Sequence, residues 1–277
     1  MGYFLQAAFA LLFTFMVISY ANSYNVNILE PYNATVPNNG SILLGKAGPG
    51  EPFYITISST ATNSSGAAIN YGWNELIAYG LPHGWIATNS SLYTKQLSVE
   101  ITVPPLAKNG IYQFYLKAIN IGNYSRIGNV TFRAFVNVTP NVFNLTVSPS
   151  KISVGPGQPA QIYVRINNTG VSDSPFTISV SGAPAWNKSE VVIAPHSVSK
   201  YFIYNIYEEE PGVYNLNLMV NSSASPLVSK VSNINMVVKA SVPNDYAALG
   251  QGAIAFPNVL APAYSVMYLI REILKQI

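Results

Sequence analysis

Residues 109–116 read Asn-Gly-Ile-Tyr-Gln-Phe-Tyr-Leu, and residues 211–218 read Pro-Gly-Val-Tyr-Asn-Leu-Asn-Leu. Both stretches place a turn residue and a glycine before an aliphatic residue and a tyrosine. After the turn, apolar residues recur at every second position, which is the pattern of a half-buried β-strand. The stretches begin about one hundred residues apart, which is the length of one ordinary domain. This spacing suggests that the chain repeats a whole domain.

Other matches follow in the same order in both halves. An opening strand ends at Pro31 and again at Pro149, and Pro-Gly-Glu/Gln-Pro precedes a strand at 49–52 and at 156–159. A turn with a proline and a tryptophan then follows in each half. The tryptophan precedes the strand tyrosine by 27 residues in the first half and by 28 in the second, and these pairs are Trp85 with Tyr112 and Trp186 with Tyr214. Ordered matches at nearly constant spacing predict two tandem copies of one domain.

Apolar and polar residues also alternate elsewhere, for example at 53–58 and 97–103, and residues 25–240 show no sustained helical period. The sequence therefore predicts an all-β fold of two tandem β-sandwiches, over residues 22–140 and 141–241. Residues 1–21 precede them as a hydrophobic signal helix, and residues 242–277 follow as an apolar helical segment. In each copy the tryptophan is expected to cap the open end of the core while the proline fixes the turn.

The Gly-x-Tyr pattern resembles the tyrosine corner of immunoglobulin-like (Ig-like) sandwiches, in which the phenol bonds back to nearby backbone. The complete order of motifs, including the turn Asn167-Asn-Thr-Gly170, resembles the NPCBM-associated module of bacterial and archaeal alpha-galactosidases. It is more loosely similar to CARDB-type cell-adhesion modules. The second copy fits over about 95 residues, and the first has a longer stretch between Gly50 and Trp85. These resemblances imply an extracellular spacer, an adhesion unit or an accessory to a glycan-active enzyme, and they supply no catalytic residues.

The amino terminus indicates export. Residues 4–20 are apolar and uncharged, and Ser19-Tyr20-Ala21 has small residues where a signal peptidase requires them. A cleaved signal peptide and a retained signal anchor are both compatible with this segment. The sequence also carries acceptor motifs for N-glycosylation, at Asn33, Asn63, Asn89, Asn123, Asn129, Asn137, Asn144, Asn167, Asn187 and Asn221.

The carboxyl-terminal segment is a second candidate for membrane association. Residues 247–270 contain no charge and, as a helix, would be long enough to cross a hydrocarbon core. Pro257 and Pro262 interrupt such a helix, however. A shorter amphipathic helix that begins near Pro262 and lies on a membrane or a partner is the first alternative, and a helix packed on a domain is the second. A spanning helix would make the chain a type I membrane protein, because its basic residues follow the apolar run.

Composition narrows the function. Only 9% of residues are charged, the formal net charge is +3, and no basic run is present. This excludes nucleic acid as an expected partner. The absence of cysteine together with many acceptor motifs favours an archaeal envelope protein over a disulfide-bonded eukaryotic one. Because an exterior with few carboxylates has few groups that must be protonated as pH falls, we also hypothesise an acidic habitat.

No set of residues predicts catalysis, a cofactor or a metal site. His83 and His196 lie in different copies and are interpreted as turn residues. The two Ser-x-x-Lys motifs, at 148–151 and 197–200, lie in or beside predicted strands rather than on a helix. The stretch Gly45-Lys-Ala-Gly-Pro-Gly50 lacks the end of a phosphate loop. The acidic cluster Glu208–Glu210 is expected to be a solvated loop, with Ca²⁺ binding as the alternative.

These observations predict a non-enzymatic cell-surface ectodomain that acts as a stalk, an adhesion unit or a partner-binding module. Its expected partners are the membrane and either other envelope proteins or further copies of itself. A carbohydrate-binding accessory module is the alternative, because aromatic faces stack on sugar rings. The aromatic candidates are Tyr71, Trp73, Tyr79 and Trp85, among which Trp73 is expected to be the most exposed. A secreted protein is the alternative to a membrane-anchored one.

Overall fold

The computed structural model describes residues 24–63, 65–122, 127–182 and 188–240, together with residues 270, 271, 273 and 274. Residues 24–240 are built from β-strands wherever they are described, which confirms the predicted all-β class. Ile270, Arg271, Ile273 and Leu274 are helical and exposed. The predicted signal helix and most of the predicted carboxyl-terminal helix lie outside the described residues. Within the described residues, no helix has the length and apolar character needed to cross a membrane.

The first half of the chain forms eleven strands in the described residues. They are β1 (Asn25–Glu30), β2 (Ala34–Pro37), β3 (Ser41–Ala47), β4 (Pro52–Ser58), β5 (Thr60–Thr62), β6 (Ala68–Gly72), β7 (Glu75–Tyr79), β8 (Ile86–Thr88), β9 (Gln96–Thr102), β10 (Gly110–Ile119) and β11 (Val130–Val138). One sheet has the order β6-β5-β1-β4-β9-β8, with β2 paired to β1, and the other has the order β3-β11-β10-β7.

The second half forms eight strands in the described residues. They are β12 (Phe143–Ser148), β13 (Lys151–Val154), β14 (Ala160–Asn168), β15 (Ser174–Ser181), β16 (Glu190–Ala194), β17 (Ser199–Ile206), β18 (Gly212–Ser222) and β19 (Ser229–Val238). One sheet has the order β12-β14-β17, and the other has the order β13-β19-β18-β15-β16.

Both halves follow the connectivity of an Ig-like sandwich. The opening strand of each half pairs with a long antiparallel strand, β1 with β4 and β12 with β14. The strand that follows the opening segment crosses to the other sheet and pairs in parallel with the last strand of its half. These parallel pairs are β3 with β11 and β13 with β19. The last two strands form an antiparallel hairpin in both halves. The strand order therefore defines two Ig-like domains, which we call the first and the second domain.

Alternating side chains build a separate core in each domain. In β4 the side chains of Phe53, Ile55 and Ile57 are fully buried, while Tyr54 between them is exposed. The core of the first domain extends from Val26 to Val138 along the chain, and that of the second domain from Val142 to Val238. Burying one face of each sheet while the other remains polar produces the period of two that is visible in the sequence.

The first domain differs from the second after β4. The long stretch that precedes Trp85 forms the hairpin β5–β6, and β5 pairs with the opening strand at Asn25↔Thr62. In addition, β8 covers the outer edge of β9, for example at Ala87↔Ile101. The second domain has no strand beside the matching strand β17 among the described residues, because β16 pairs with β15 in the opposite sheet.

Candidate functional site

Trp85 and Tyr112 lie together at one end of the first core. The indole of Trp85 is 5.3 Å from the ring of Tyr112, 6.2 Å from Phe114 and 6.4 Å from Phe53, between ring centroids. The phenol of Tyr112 donates to the carbonyl of Lys108 at 2.9 Å. Trp85 thus caps the core while the phenol closes the preceding turn, and both groups have a structural role here.

The second domain repeats the tyrosine contact. The phenol of Tyr214 donates to the carbonyl of Glu210 at 2.8 Å, which is the same four-residue return as in the first domain. This backbone bond is the one expected from the tyrosine-corner pattern. Trp186, which is the match of Trp85, lies outside the described residues.

Trp73 is not an exposed platform. Its side chain is 2% exposed, and its indole nitrogen donates to the carbonyl of Gly128 at 3.4 Å. The expectation that Trp73 offers a flat face to a ligand is therefore wrong. The indole belongs to the core, where its large apolar area is removed from water and its polar nitrogen still finds a partner.

Two other tyrosines border an open groove beside Trp73. This groove, of about 480 Å³, lies between the β5–β6 hairpin and the segment before β9, and it is lined by Ser59, Thr60, Ile69, Asn70, Tyr71, Gly72, Trp73, Asn74, Tyr93 and Thr94. Tyr71 is 44% exposed and Tyr93 is 70% exposed. The groove therefore offers two aromatic side chains surrounded by hydroxyl and amide groups.

Tyr93 has an unusual backbone conformation. Its φ is +58°, in the left-handed region that a bulky side chain rarely adopts. The backbone N–H of Tyr93 donates to the carbonyl of Asn74 at 2.9 Å, and this bond ties the turn to the floor of the groove. Backbone outliers of this kind occur preferentially at functional sites. Sequence reasoning missed Tyr93, because a turn between strands gives no signal of its φ.

Tyr79 makes a different contact from the one expected for a sugar platform. Its ring stacks on that of Tyr115 at 5.4 Å with an interplanar angle of 20°. The two residues are also direct partners in the pairing of β7 with β10. Tyr79 is therefore part of a cross-strand aromatic pair on the sheet surface.

The two domains contact each other through Glu51. This residue is 3% exposed, and its carboxylate accepts one hydrogen bond from the N–H of Gly48 at 2.9 Å and one from the Oγ of Ser222 at 3.0 Å. The first partner belongs to its own turn and the second to the other domain. Burial raises the pKa of Glu51, and the two hydrogen bonds oppose that effect.

The same turn occurs in the second domain, where Gln158 replaces Glu51. The N–H of Gly155 donates to Oε1 of Gln158 at 3.1 Å, and the N–H of Gln158 donates to the carbonyl of Gly155 at 3.1 Å. In the first domain, Glu51 and Gly48 make the equivalent pair of bonds. The shared Pro-Gly-Glu/Gln-Pro motif is thus a closed turn, and the glutamate adds an oxygen that reaches the next domain.

Backbone contacts strengthen the domain contact. The N–H of Val171 donates to the carbonyl of Lys46 at 2.8 Å, and the Oγ of Ser172 donates to the carbonyl of Pro52 at 2.9 Å. The side chain of Val171 packs into the core of the first domain. Only four residues, 139–142, separate β11 from β12, and Val142 is buried in the second core.

His196 contributes a further contact between the domains. Its Nδ1 lies 2.9 Å from Oδ1 of Asp173, and its Nε2 lies 3.2 Å from the carbonyl oxygen of Pro31. Both partners are acceptors, so both contacts are hydrogen bonds only when the imidazole carries two protons. The hydrogen bonds from His196, first from its backbone N–H and then from its ring, lower the pKa of Asp173. The other histidine, His83, lies in an exposed turn, more than one hundred residues from His196 in sequence.

The remaining motif predictions fall on turns or strands. Residues 45–50 continue from the end of β3 into the turn that Glu51 closes, and residues 197–200 lead into β17. Glu208 is buried, and its Oε1 accepts from the N–H groups of Glu209 and Glu210 at 3.1 and 3.3 Å. Glu208 therefore organises the loop before β18, whereas the other two glutamates are exposed.

The glycosylation motifs differ in accessibility. The asparagines at 33, 89, 129 and 144 are exposed, those at 63, 137, 167 and 221 are half-buried, and Asn123 and Asn187 lie outside the described residues. Asn144 and Asn167 are direct partners in the pairing of β12 with β14, so glycans on both would compete for the same space. The sequence also carries a further acceptor motif at Asn39-Gly40-Ser41, where Asn39 is exposed and has φ of +61°.

No family model matches this sequence, and no curated protein matches it. Similar solved structures include the D00-D0 domain of intimin, which is 12% identical, with 77% of this chain and 99% of that chain covered and a TM-score of 0.25. Domains 5-6 of the S-layer protein SbsC are 12% identical, with 70% and 92% covered and a TM-score of 0.24. The titin Ig tandem domains A164-A165 are 7% identical, with 79% and 97% covered and a TM-score of 0.26. At these TM-scores the similarity is weak, and the strand order defines the fold.

Proposed function

We propose that the chain is a non-enzymatic ectodomain of an archaeal envelope protein, which acts as a structural arm and presents surfaces to partners. The observation that carries this proposal is the direct contact between the two Ig-like domains. A flexible tether of two independent domains would not need a buried carboxylate shared between them. The contact through Glu51 and Ser222 favours a pair of domains held at a fixed angle.

The distribution of polar contacts supports a structural role. The buried carboxylate of Glu51 accepts from the N–H of Gly48 and the hydroxyl of Ser222, and Asp173 accepts from the backbone N–H of His196, whose ring lies against the carbonyl of Pro31 at the domain contact. Their hydrogen-bonding capacity serves the fold, whereas a catalytic acid or base needs a substrate position within reach. The resemblance of the motif order to alpha-galactosidase-associated and CARDB-type modules points to the same class of spacer or adhesion unit.

The proposal places the two domains outside the cell. The apolar segment 4–20 with its signal-peptidase motif supplies export, and the uncharged segment 247–270 supplies membrane association. A polar exterior with few charges and several exposed glycosylation motifs suits this location. The membrane and other envelope proteins, or further copies of the chain, are then the partners.

Fractionation of the native cell tests the location. The membrane fraction is washed with carbonate and then extracted with detergent, and the intact mass of the recovered protein is measured. Recovery only in detergent, with a mass that lacks residues 1–21 and carries hexose increments, is the expected result. Release by carbonate with an unmodified mass would contradict both anchoring and glycosylation.

The groove beside Trp73 supports carbohydrate binding as a second candidate function. Tyr71 and Tyr93 present exposed rings, and Asn70 and Thr94 lie on the same lining. Aromatic faces pack on the C–H side of a pyranose, and nearby amides and hydroxyls bond its hydroxyl groups. The left-handed turn at Tyr93 holds one of these rings in place.

A glycan array followed by calorimetric titration tests the second candidate. If the groove binds a saccharide, Tyr71→Ala and Tyr93→Ala should each weaken binding, and each tyrosine-to-phenylalanine change should retain most of it. Tyr163→Ala, on an exposed tyrosine of the second domain, is the matched control. No binding above background on the array, or equal losses in the control, would reject this site.

A further inference from the structure

The outer face of the sheet β12-β14-β17 exposes a compact group of apolar side chains. Tyr201 is 64% exposed, Ile203 is 54% exposed and Tyr163 is 47% exposed. Tyr163 and Ile203 are direct partners in the pairing of β14 with β17, and Tyr201 lies two positions before Ile203. Because residues at every second position of a strand share a face, the three side chains form one surface, which we call the tyrosine face. A contiguous exposed apolar surface indicates an interaction site.

The residues around the tyrosine face carry amides, hydroxyls and a single charge. That charge is Arg165, which pairs with Tyr201 across the two strands and holds its guanidinium 5.3 Å from the centre of the Tyr201 ring. The other side chains on this face are Asn144, Thr146, Ser148, Gln161, Asn167, Ser199 and Asn205. Amides and hydroxyls both donate and accept hydrogen bonds, as sugar hydroxyl groups do, and aromatic faces pack on the C–H side of a pyranose. The chemistry of this face therefore suits a saccharide.

An attachment point for a saccharide lies on the same face. Asn144 and Thr146, which are the asparagine and the hydroxyl residue of one N-glycosylation motif, are both exposed on β12, while Leu145 between them packs against the core. Among the described residues β12 pairs with β14 alone, so one side of the motif is open to a modifying enzyme. Asn167, the cross-strand partner of Asn144, is half-buried on a strand that is paired on both sides. Asn144 is thus the more accessible acceptor of the two.

The register of the sheet places Asn144 within reach of the tyrosine face. Thr146 pairs with Arg165, and Arg165 pairs in turn with Tyr201. Tyr201 is therefore two strands across and two residues along from Asn144. A strand spacing of about 4.8 Å and a rise of about 3.4 Å per residue put their Cα atoms about 12 Å apart. The asparagine side chain and the first sugars of an attached glycan can span this distance.

We infer that Asn144 carries an N-linked glycan whose inner sugars pack on the tyrosine face of the same chain. The sugar rings cover the exposed ring of Tyr201, and their hydroxyl groups bond to the amides and hydroxyls around it. Because Asn144 and Asn167 are direct partners and compete for the same space, a glycan on Asn144 leaves Asn167 unmodified. This inference rests on the proposed extracellular location, where such a glycan is carried.

Tandem mass spectrometry of tryptic peptides from the native protein tests the attachment. Cleavage at Lys151 and Arg165 separates Asn144 from Asn167, and fragmentation separates Asn144 from Asn137. We expect hexose increments on Asn144 and none on Asn167. An unmodified Asn144 in a protein whose other motifs carry sugar would overturn this inference and leave the proposed location intact. A protein without sugar at any motif would contradict the proposed glycosylation itself, and this inference with it.

Nitration with tetranitromethane tests whether the glycan lies on the tyrosine face, and no cysteine competes for the reagent. The full chain and Asn144→Gln are produced in the same host. Tyr201 should react at least about threefold faster in Asn144→Gln, because no sugar then packs on its ring, whereas Tyr79 of the first domain, which is 42% exposed, should react equally in both. Thr146→Ala removes the motif without changing Asn144 and should match Asn144→Gln, and Thr146→Ser keeps the motif and should match the wild type. Equal rates for Tyr201 with and without the motif would overturn the packing.

Thermal unfolding of the same proteins measures the coupling between the glycan and Tyr201. Asn144→Gln should lower the unfolding midpoint by about 2–4 °C, which is the shift expected for the loss of one aromatic contact. In a Tyr201→Ala background the same change should lower it by less than half as much, and in a Tyr201→Phe background by nearly the full amount, because phenylalanine keeps the ring. Equal shifts in the wild-type and Tyr201→Ala backgrounds would show that the glycan does not pack on Tyr201.

Discussion

Replacing Glu51 with alanine tests how much the buried contact between the domains contributes to stability. The substitution removes the acceptor of the Gly48 N–H and of the Ser222 hydroxyl. A buried polar group left without a partner costs about 1–3 kcal/mol, so two such groups cost about 2–6 kcal/mol. Relaxation of the turn and removal of a costly buried carboxylate both reduce this loss. We expect a net loss of about 1–3 kcal/mol in the free energy of unfolding at pH 7.

The loss should depend on pH with a defined sign. Burial raises the pKa of Glu51 above its ordinary value of 4.5, so the folded state binds this proton more tightly than the unfolded state. The resulting stabilisation is fully present below pH 4.5 and is lost as the pH rises through the folded-state pKa. In acid the wild type no longer buries a charge at Glu51 and is more stable. Glu51→Ala should therefore lose more free energy of unfolding, relative to the wild type, at pH 4 than at pH 7.

Glu51→Gln is the matched control, because Gln158 occupies the same position in the second domain. The amide oxygen can accept from Gly48, as that of Gln158 does from Gly155, and the amide nitrogen can donate to the Oγ of Ser222. This variant should equal the wild type at pH 4, where Glu51 is neutral. At pH 7 it should be the more stable of the two, because it carries no buried charge.

Calorimetry and urea unfolding at both pH values measure these differences, and a double-mutant cycle with Ser222→Ala isolates the part that crosses between the domains. The reasoning fails if Glu51→Ala costs less than about 0.5 kcal/mol at both pH values, which is the range of an ordinary surface change. It also fails if Glu51→Gln loses as much as Glu51→Ala.

Three further substitutions test other parts of the structure. Gly50→Ala should destabilise the domain contact, because Gly50 has φ of +80° and a Cβ there would lie 2.7 Å from the carbonyl oxygen of Ala224. Gly66→Ala is the control: Gly66 has φ of +82° but open space around it, so urea unfolding should show only the backbone cost. Asn168→Ala should cost about 2–4 kcal/mol in urea unfolding, because the buried amide bonds to Ser172, Ala194 and Gly170, and a loss below about 1 kcal/mol would show that water replaces it. Asp173→Asn should flatten the dependence of the free energy of unfolding on pH in acid. The pKa of Asp173 is lowered in the folded state, so its carboxylate stabilises the fold above pH 3.8, and this stabilisation is lost as the pH falls through the folded-state pKa. An unchanged dependence between pH 2 and 4 would contradict this prediction.

The core of each domain was predictable because its signal is local. Phe53, Ile55 and Ile57 alternate with polar neighbours, and all three are fully buried. The repeated Gly-x-Tyr also predicted a backbone bond that both domains make. Period-two burial and a four-residue hydrogen bond are each contained within a short window of sequence, so no knowledge of the distant chain is needed to infer them.

The domain contact and the groove were not predictable, because their residues are distant in sequence. Glu51 and Ser222 are 171 positions apart, and the motif around Glu51 is as readily explained by its own turn. Trp73 also shows that burial depends on residues that are distant in sequence. It was expected to be an exposed platform, yet the indole is buried and bonds to Gly128, 55 positions away. The local sequence does not reveal which side chains beside an inserted hairpin the core will cover.

The exchange of glutamine for glutamate in one repeated turn gives the tandem domains a side-chain contact between them. In both turns one side-chain oxygen accepts the N–H of the glycine three residues earlier. A carboxylate has a second acceptor of equal strength, and in the first domain that oxygen reaches Ser222 across the contact. Desolvation makes this contact costly at neutral pH and less costly in acid. The contact through Glu51 therefore becomes more favourable as the pH falls.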